Sequence, residues 1–191
     1  GTINNANSAA TNVTNLTQGV YQFQITVTDN QGSTNQASVQ VTVNSGNSLL
    51  PAVNPNNIVN GIDYKYYEAA NYRAVPDFSN LVPVKTGVSS NFDISFANRP
   101  EEFAFNFTGF IDIPSDGQYT FYTNSDDGSN LYIDGVLVVN IDGQHSQAEP
   151  SGTIGLMAGK HAISVGYFQQ TGVNFLTVSY SGSVITKQII P

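Results

Sequence analysis

Residues 117–140 read GQYTFYTNSDDGSNLYIDGVLVVN. Gln118–Asn124 and Ser129–Gly135 are short runs rich in aromatic and β-branched residues, and VLVVNI follows Gly135. Runs of this kind, bounded by Gly, Asn, Asp and Ser, predict strands. Between the first two lies Ser125-Asp126-Asp127-Gly128, a turn of small polar residues carrying adjacent carboxylates. Consecutive side chains on an extended strand point to opposite faces, so neighbouring carboxylates do not ordinarily share one ion. Taken alone, the turn is an acidic loop.

The same texture extends in both directions. From Gly61 the chain is aromatic-rich: IDYKYYEA, then FDISF, then FAFNFTGFIDI with Phe103, Phe105 and Phe107 alternating against smaller residues. Pro114-Ser115-Asp116-Gly117 reads as a turn. KHAISVGYFQQ and VNFLTVSYSG close the domain. Short strands with turn signals every ten residues or so, and no helical stripe, predict an all-β antiparallel sandwich or barrel. Residues 65–85 leave room for a short helix or irregular segment.

Upstream, VYQFQITVT (20–28) and ASVQVTV (37–43) alternate apolar and polar positions around the turn Asp29-Asn30-Gln31-Gly32, which predicts a β-hairpin. Led by Leu16 to Gly19, this run resembles the last strands of a polycystin-repeat or cadherin-like immunoglobulin-type sandwich. The likeness covers about half of such a module, too little to close a two-sheet core; a plain hairpin appendage is the alternative. Asn44 to Asn57 has linker composition, but its Leu49, Leu50 and Val53 are apolar enough to lie on a neighbouring surface. The expected organisation is therefore 1–44 partial immunoglobulin-like strands, 45–58 linker and 59–191 sandwich.

The chain has 191 residues, no cysteine, and 14 acidic against 6 basic residues, for a net charge of -8. Without cysteine there is no disulfide framework, thiolate zinc site or cysteine nucleophile. A sparse acidic coat repels phosphate backbones and anionic membranes, which argues against nucleic acid. No 18-residue apolar run and no signal-peptide pattern is present, and the chain opens in mid-pattern. The expectation is a monomeric module of a larger exported protein, at the cell surface or outside it. Sequons begin at Asn12, Asn15 and Asn106, of consequence only in a glycosylating host.

GQYTFYTNSDDGSNLYIDGVLVVN, the loop Asp142-Gly143-Gln144-His145, and GLMAGKHAISVGYFQQTGVNFLTVSY follow one another over Gly61 to about Ser181. In that order and spacing they resemble the β-sandwich domain named after the N-terminal part of anthrax protective antigen. The domain also occurs in yeast flocculins and epithelial adhesins, bacterial adhesins and some glycosidases. The resemblance implies a cis peptide between Asp126 and Asp127 that turns both carboxylates to one side, and a calcium ion held there. It further implies ligands from the loop before the last strand: a side-chain amide followed by backbone carbonyls two and four residues later, which maps onto Gln170, Gly172 and Asn174. Calcium takes roughly 6–8 oxygens, so the remaining positions would hold water exchangeable for two neighbouring hydroxyls of a sugar. Asp126, Asp127, Gln170, Gln169 and His145 are the candidate sugar contacts.

Other polar residues have plainer readings. His145 in a glycine loop reads as a structural hydrogen-bonding residue as well as a sugar contact, and it lies too far from His161 for a helix-borne zinc pair. Asp134 before Gly135 reads as a hairpin turn, Asp112 and Asp116 as turn or surface residues, and Glu101-Glu102 as solvated. Tyr167 and Phe175 alternate like core residues, although an aromatic beside the ion could stack on a sugar. Three functions compete: a calcium-dependent carbohydrate-binding module in an adhesin or beside a polysaccharide-degrading enzyme, a calcium-stiffened spacer, and a glycosidase. The last needs two carboxyls roughly 5–9.5 Å apart across a sugar. Adjacent aspartates tied to one ion do not serve that purpose, so no catalytic residue is expected.

Overall fold

The computed structural model describes residues 1–8, 10–43 and 49–190. The chain divides into two compact units, Gly1–Ser48 and Leu49–Pro191. In the first, β1 (Thr2–Asn4) pairs antiparallel with β2 (Asn12–Thr14), a short ribbon that the sequence did not announce. The expected hairpin is β3 (Gly19–Thr28) with β4 (Thr34–Val43), in register from Gly19↔Val43 to Thr28↔Thr34. Asp29 closes its turn by accepting the N–H groups of Gln31 and Ser33, both at 2.8 Å. Residues 44–48 of the expected linker lie outside the described residues.

The second unit is a sandwich. Its strands are β5 (Ile62–Glu68), β6 (Lys85–Ser89), β7 (Phe103–Ile113), β8 (Gly117–Asp126), β9 (Ser129–Ile133), β10 (Val136–Ile141), β11 (Ser151–Leu156), β12 (Gly159–Gln169), β13 (Phe175–Gly182) and β14 (Ile185–Ile189). Six form one sheet in the order β10-β9-β12-β7-β5-β6, and four form the other in the order β11-β8-β13-β14. Every named strand pair is antiparallel. In place of a helix near residues 65–85 there is only a one-turn 3-10 segment, Phe78–Asn80, capped by Asp77. Leu49 to Asn54 already belongs to this unit: Leu50 and Val53 donate to the Gly155 and Lys160 carbonyls, and Leu50 packs on the core.

The period-two pattern places Phe103, Phe105, Phe107, Ile111 and Ile113 of β7 against Tyr119 and Phe121 of β8, all buried between the sheets. Aromatic contacts knit this core: Tyr66 and Phe105 lie 5.0 Å apart, Phe105 and Phe107 5.2 Å, distances at which rings attract beyond simple area burial. A smaller apolar cluster, Tyr67, Ala104 and Phe168 under Tyr72, Val75 and Phe78, covers one end of the six-stranded sheet's outer face. Asp134 does more than turn the β9–β10 hairpin. Its Oδ2 lies 2.5 Å from Nδ1 of the fully buried His161, whose Nε2 faces the Met157 carbonyl at 2.9 Å.

Burial, reinforced by the hydrogen bond to Glu68, raises the Tyr66 phenol from 10.0 to about 12. The phenols of Tyr67, Tyr72 and Tyr167 are also raised, by burial first. A phenol whose folded-state pKa is raised keeps its proton longer in the fold than in the unfolded chain, so it contributes stability below pH 10 and loses it as pH climbs toward 12. Thermal midpoints measured from pH 9 to 12 are expected to fall across that window, and Tyr66→Phe to show a shallower fall. A flat profile would contradict the burial assigned to these rings.

Candidate functional site

β8 ends at Asp126 in the four-stranded sheet and β9 begins at Ser129 in the six-stranded one. Asp127 and Gly128 therefore make the crossing between sheets, at one pole of the sandwich. Beneath them a buried chain of hydroxyls links Thr123, Ser129 and Ser125, with Oγ separations of 3.0 and 2.8 Å. The Asp126–Asp127 peptide bond is cis.

Both carboxylates face the loop after β10. The N–H groups of His145 and Gln147, two residues apart, donate to Asp127 Oδ1 at 3.3 Å and to Asp126 Oδ2 at 3.1 Å. Asp127 Oδ2 accepts the Gln170 N–H at 2.9 Å. Among the described residues, no basic side chain forms an ion pair with either aspartate. Gly128 lets the loop approach: a Cβ there would stand 2.8 Å from the Gly143 carbonyl oxygen, 2.9 Å from its nitrogen and 2.4 Å from the Phe168 ring. Gly128→Ala should cost about 1–3 kcal/mol, because two backbones would have to part; chemical denaturation checks this, and an unchanged midpoint would contradict the contact.

The fully buried Gln169 braces the site from within. Its Oε1 accepts the Asp127 N–H at 2.9 Å, and its Nε2 donates to the Thr171 and Val173 carbonyls at 3.0 and 3.1 Å. The buried Tyr167 hydroxyl lies 2.6 Å from the Asp126 carbonyl oxygen and 2.8 Å from Gln169 Oε1. Burial, and after it the charges of Asp127 and Asp126, push that phenol up, so it stays a proton donor.

Two expected sugar contacts are thereby corrected. Gln169 is inaccessible, with both ends of its amide committed. His145 reaches the site through its backbone; its ring nitrogens lie 2.8 and 3.0 Å from the Ser146 and Ile141 carbonyls and hold the loop's shape. The acidic pair before β7 is not simply solvated either. Glu101 accepts the Gly172 N–H at 2.9 Å, Glu102 donates its own N–H to the Gln170 carbonyl, and Asn174 donates its side-chain amide to the Pro100 carbonyl at 3.1 Å. Pro100 to Glu102 thus clamps the loop of candidate ligands Gln170, Gly172 and Asn174 from about seventy residues upstream. No local pattern announced this.

Gln170 supplies the telling atom. Its Oε1 is buried and has no hydrogen-bond partner, although a buried acceptor left unpaired ordinarily costs about 1–3 kcal/mol. The site therefore combines two carboxylates without a basic partner and an orphaned amide oxygen on the loop that binds Asp127. No cluster of three or more His, Cys, Asp or Glu side chains suited to a metal occurs among the described residues. An ion at this pole would have to complete its shell from amide and carbonyl oxygens and water, a donor set that suits a hard cation and not zinc. Phe175, opposite Asp126 in the β13–β8 register, is half-buried beside it.

Comparison with known proteins agrees with this architecture. The PA14 domain model matches residues 59–191, and a PKD-domain model matches residues 1–43. Anti-sigma-I factor RsgI3 of Acetivibrio thermocellus is 28% identical over 142 residues, 72% of this chain; the match spans only 21% of that protein's length. The structure described as the PA14 sugar-binding domain from an RTX adhesin superposes with a TM-score of 0.60 at 16% identity, over 69% of this chain and 95% of that one. The epithelial adhesin 9 A domain of Candida glabrata, solved in complex with Galb1-3GlcNAc, gives 0.53 at 12% identity, over 72% and 88%. With the family model covering every strand of the two sheets, the chain belongs to the PA14 domain family.

Proposed function

We propose that residues 59–191 are a non-catalytic, calcium-dependent carbohydrate-binding module of an extracellular surface protein or adhesin. The observation that carries this is the unpaired buried Gln170 Oε1 on the loop that hydrogen-bonds Asp127, next to two carboxylates with no basic partner. Asp126, Asp127, the Gln170 side chain and the backbone carbonyls of Gly172 and Asn174 would hold the calcium. A bound ion offers its remaining positions to two vicinal hydroxyls of a sugar. The chain's own residues do the rest: the His145, Gln147 and Gln170 N–H groups orient the carboxylates, Gln169 and Tyr167 fix the crossing from beneath, and Phe175 offers an apolar edge beside Asp126. Sugars are named in the descriptions of both adhesin structures, which favours a carbohydrate here.

The anti-sigma relative carries a similar segment within a regulatory protein. A sugar-binding module serves such a protein or a polysaccharide-degrading enzyme as well as it serves an adhesin, so the ligand does not depend on the parent. Glycan-array binding in calcium and again in chelator tests the reading. Calcium-dependent binding to defined glycans is the expected result; calcium binding by calorimetry with no glycan bound would leave a calcium-stiffened spacer instead.

A further inference from the structure

The outer face of the six-stranded sheet carries a trough that the calcium reading does not use. Ile163 and Val165 of β12, Leu131 and Ile133 of β9, and Phe105 and Phe107 of β7 point into the core, so the residues between them face outward. Register aligns these in two rows across four strands. One row is Tyr132, Ser164, Thr108 and Asp63; the other is Asn130, Gly166, Asn106 and Lys65. At about 4.8 Å between strands and two residues between rows, the patch measures roughly 14 by 7 Å.

Small residues on the central strand make the patch concave. Two hollows of about 330 and 350 Å³ meet at Tyr132 and Ser164. The Val75–Ser79 segment lines the first, and at Gly166 any Cβ would stand 2.5 Å from Val75 Cγ1. The second runs out to Gly135 and the exposed Phe110. Among the described residues, the side chains of Asn106, Thr108, Tyr132 and Ser164 take no hydrogen-bond partner. Their amide and hydroxyl groups can both donate and accept.

We propose that this trough is a second, calcium-independent binding site for an extended uncharged oligosaccharide. Sugar hydroxyls supply what free amides and hydroxyls lack, and the C–H faces of sugar rings suit the rings of Tyr132 and Phe110. The charged side chains of the trough are Asp63 and Lys65 on β5, of opposite sign, and Asp77, which lines the first hollow and accepts the Ser79 N–H. The chain's charge of -8 disfavours polyanions. Ser164 lies five residues along β12 from Gln169, about 17 Å, and on a face instead of the pole. A chain bound there leaves the aspartates free, so the module would hold a polysaccharide at two points.

Native affinity electrophoresis of the full chain through gels containing xylan, mixed-linkage β-glucan or galactomannan, all in EDTA, tests this separately from the calcium site. At least one polysaccharide should retard the protein, and Tyr132→Ala and Ser164→Tyr should each weaken that retardation at least tenfold. Amide shifts on adding a hexasaccharide of the retarding polymer to unmodified protein should centre on Asn106, Thr108, Tyr132 and Ser164. No retardation by any of the three polymers, retardation unchanged in both variants, or shifts centred elsewhere would overturn the proposal.

Discussion

Asp127→Asn should abolish calcium-dependent sugar binding and weaken calcium itself on the order of 100-fold or more, since calcium affinity follows ligand charge and this change removes one of the two proposed anionic ligands. It should also cost stability in chelator. Both Asp127 oxygens accept backbone N–H groups, from His145 and Gln170, so an amide must aim its NH2 at one of these donors, a loss of about 1–3 kcal/mol. Asp126→Asn makes the contrast. Among the described residues, only Gln147 engages one of its oxygens, so the amide can turn its oxygen to that donor and leave stability in chelator within about 0.5 kcal/mol. The two variants should thus share the calcium defect and differ in the metal-free fold. Calorimetric titration with calcium, paired with urea unfolding in EDTA, reads both quantities. Wild-type calcium affinity in Asp126→Asn and Asp127→Asn would remove the pair from any metal site.

Gln169→Leu should have the second largest effect, although Gln169 is fully buried. Leucine matches the size but leaves the Asp127 N–H and the Thr171 and Val173 carbonyls without their partner, and deprives the Tyr167 hydroxyl of one acceptor. With each stranded buried group costing about 1–3 kcal/mol and some relief from local shifts, a loss of about 3–5 kcal/mol is expected. Calcium affinity should fall at least tenfold as well, because this one amide ties the aspartate crossing to the loop of Gln170, Gly172 and Asn174. Gln169→Glu should do no better: it has no N–H for the two carbonyls and sets a third negative charge beside Asp127. Urea unfolding with and without calcium is the measurement. A near-neutral Gln169→Leu would mean that the loop holds its shape without the brace.

Much of the fold was legible because strands write their burial into a period of two. Phe103, Phe105 and Phe107 alternate in the chain as they do across the core, and Val20 to Thr28 with Ala37 to Val43 pair around the turn that Asp29 builds. Less legible were β6, β11 and β14, which are short and more exposed, so their sequences carry little alternation. Of the candidate site, the aspartates and the Gln170–Asn174 loop were marked by a family likeness over the whole domain and not by anything local. Gln169 and Gln170 differ by one residue of register at the end of β12: Gln169 is buried and braces the crossing through its amide, whereas Gln170 meets Asp127 through its N–H and leaves Oε1 unpaired, and both are glutamines.

By itself, then, the sequence determined an antiparallel sandwich and its principal strands, since these depend on local alternation, and its family likeness marked the two stretches bearing the candidate ligands. Tertiary structure alone decided how the ligands are held. The His145–Gln147 segment meets the aspartates about twenty residues away, and Glu101 meets Gly172 across 71. Such contacts arise only when strands distant in sequence come to lie at the same pole, and a backbone N–H that orients a carboxylate leaves no trace in the identity of the residue that donates it.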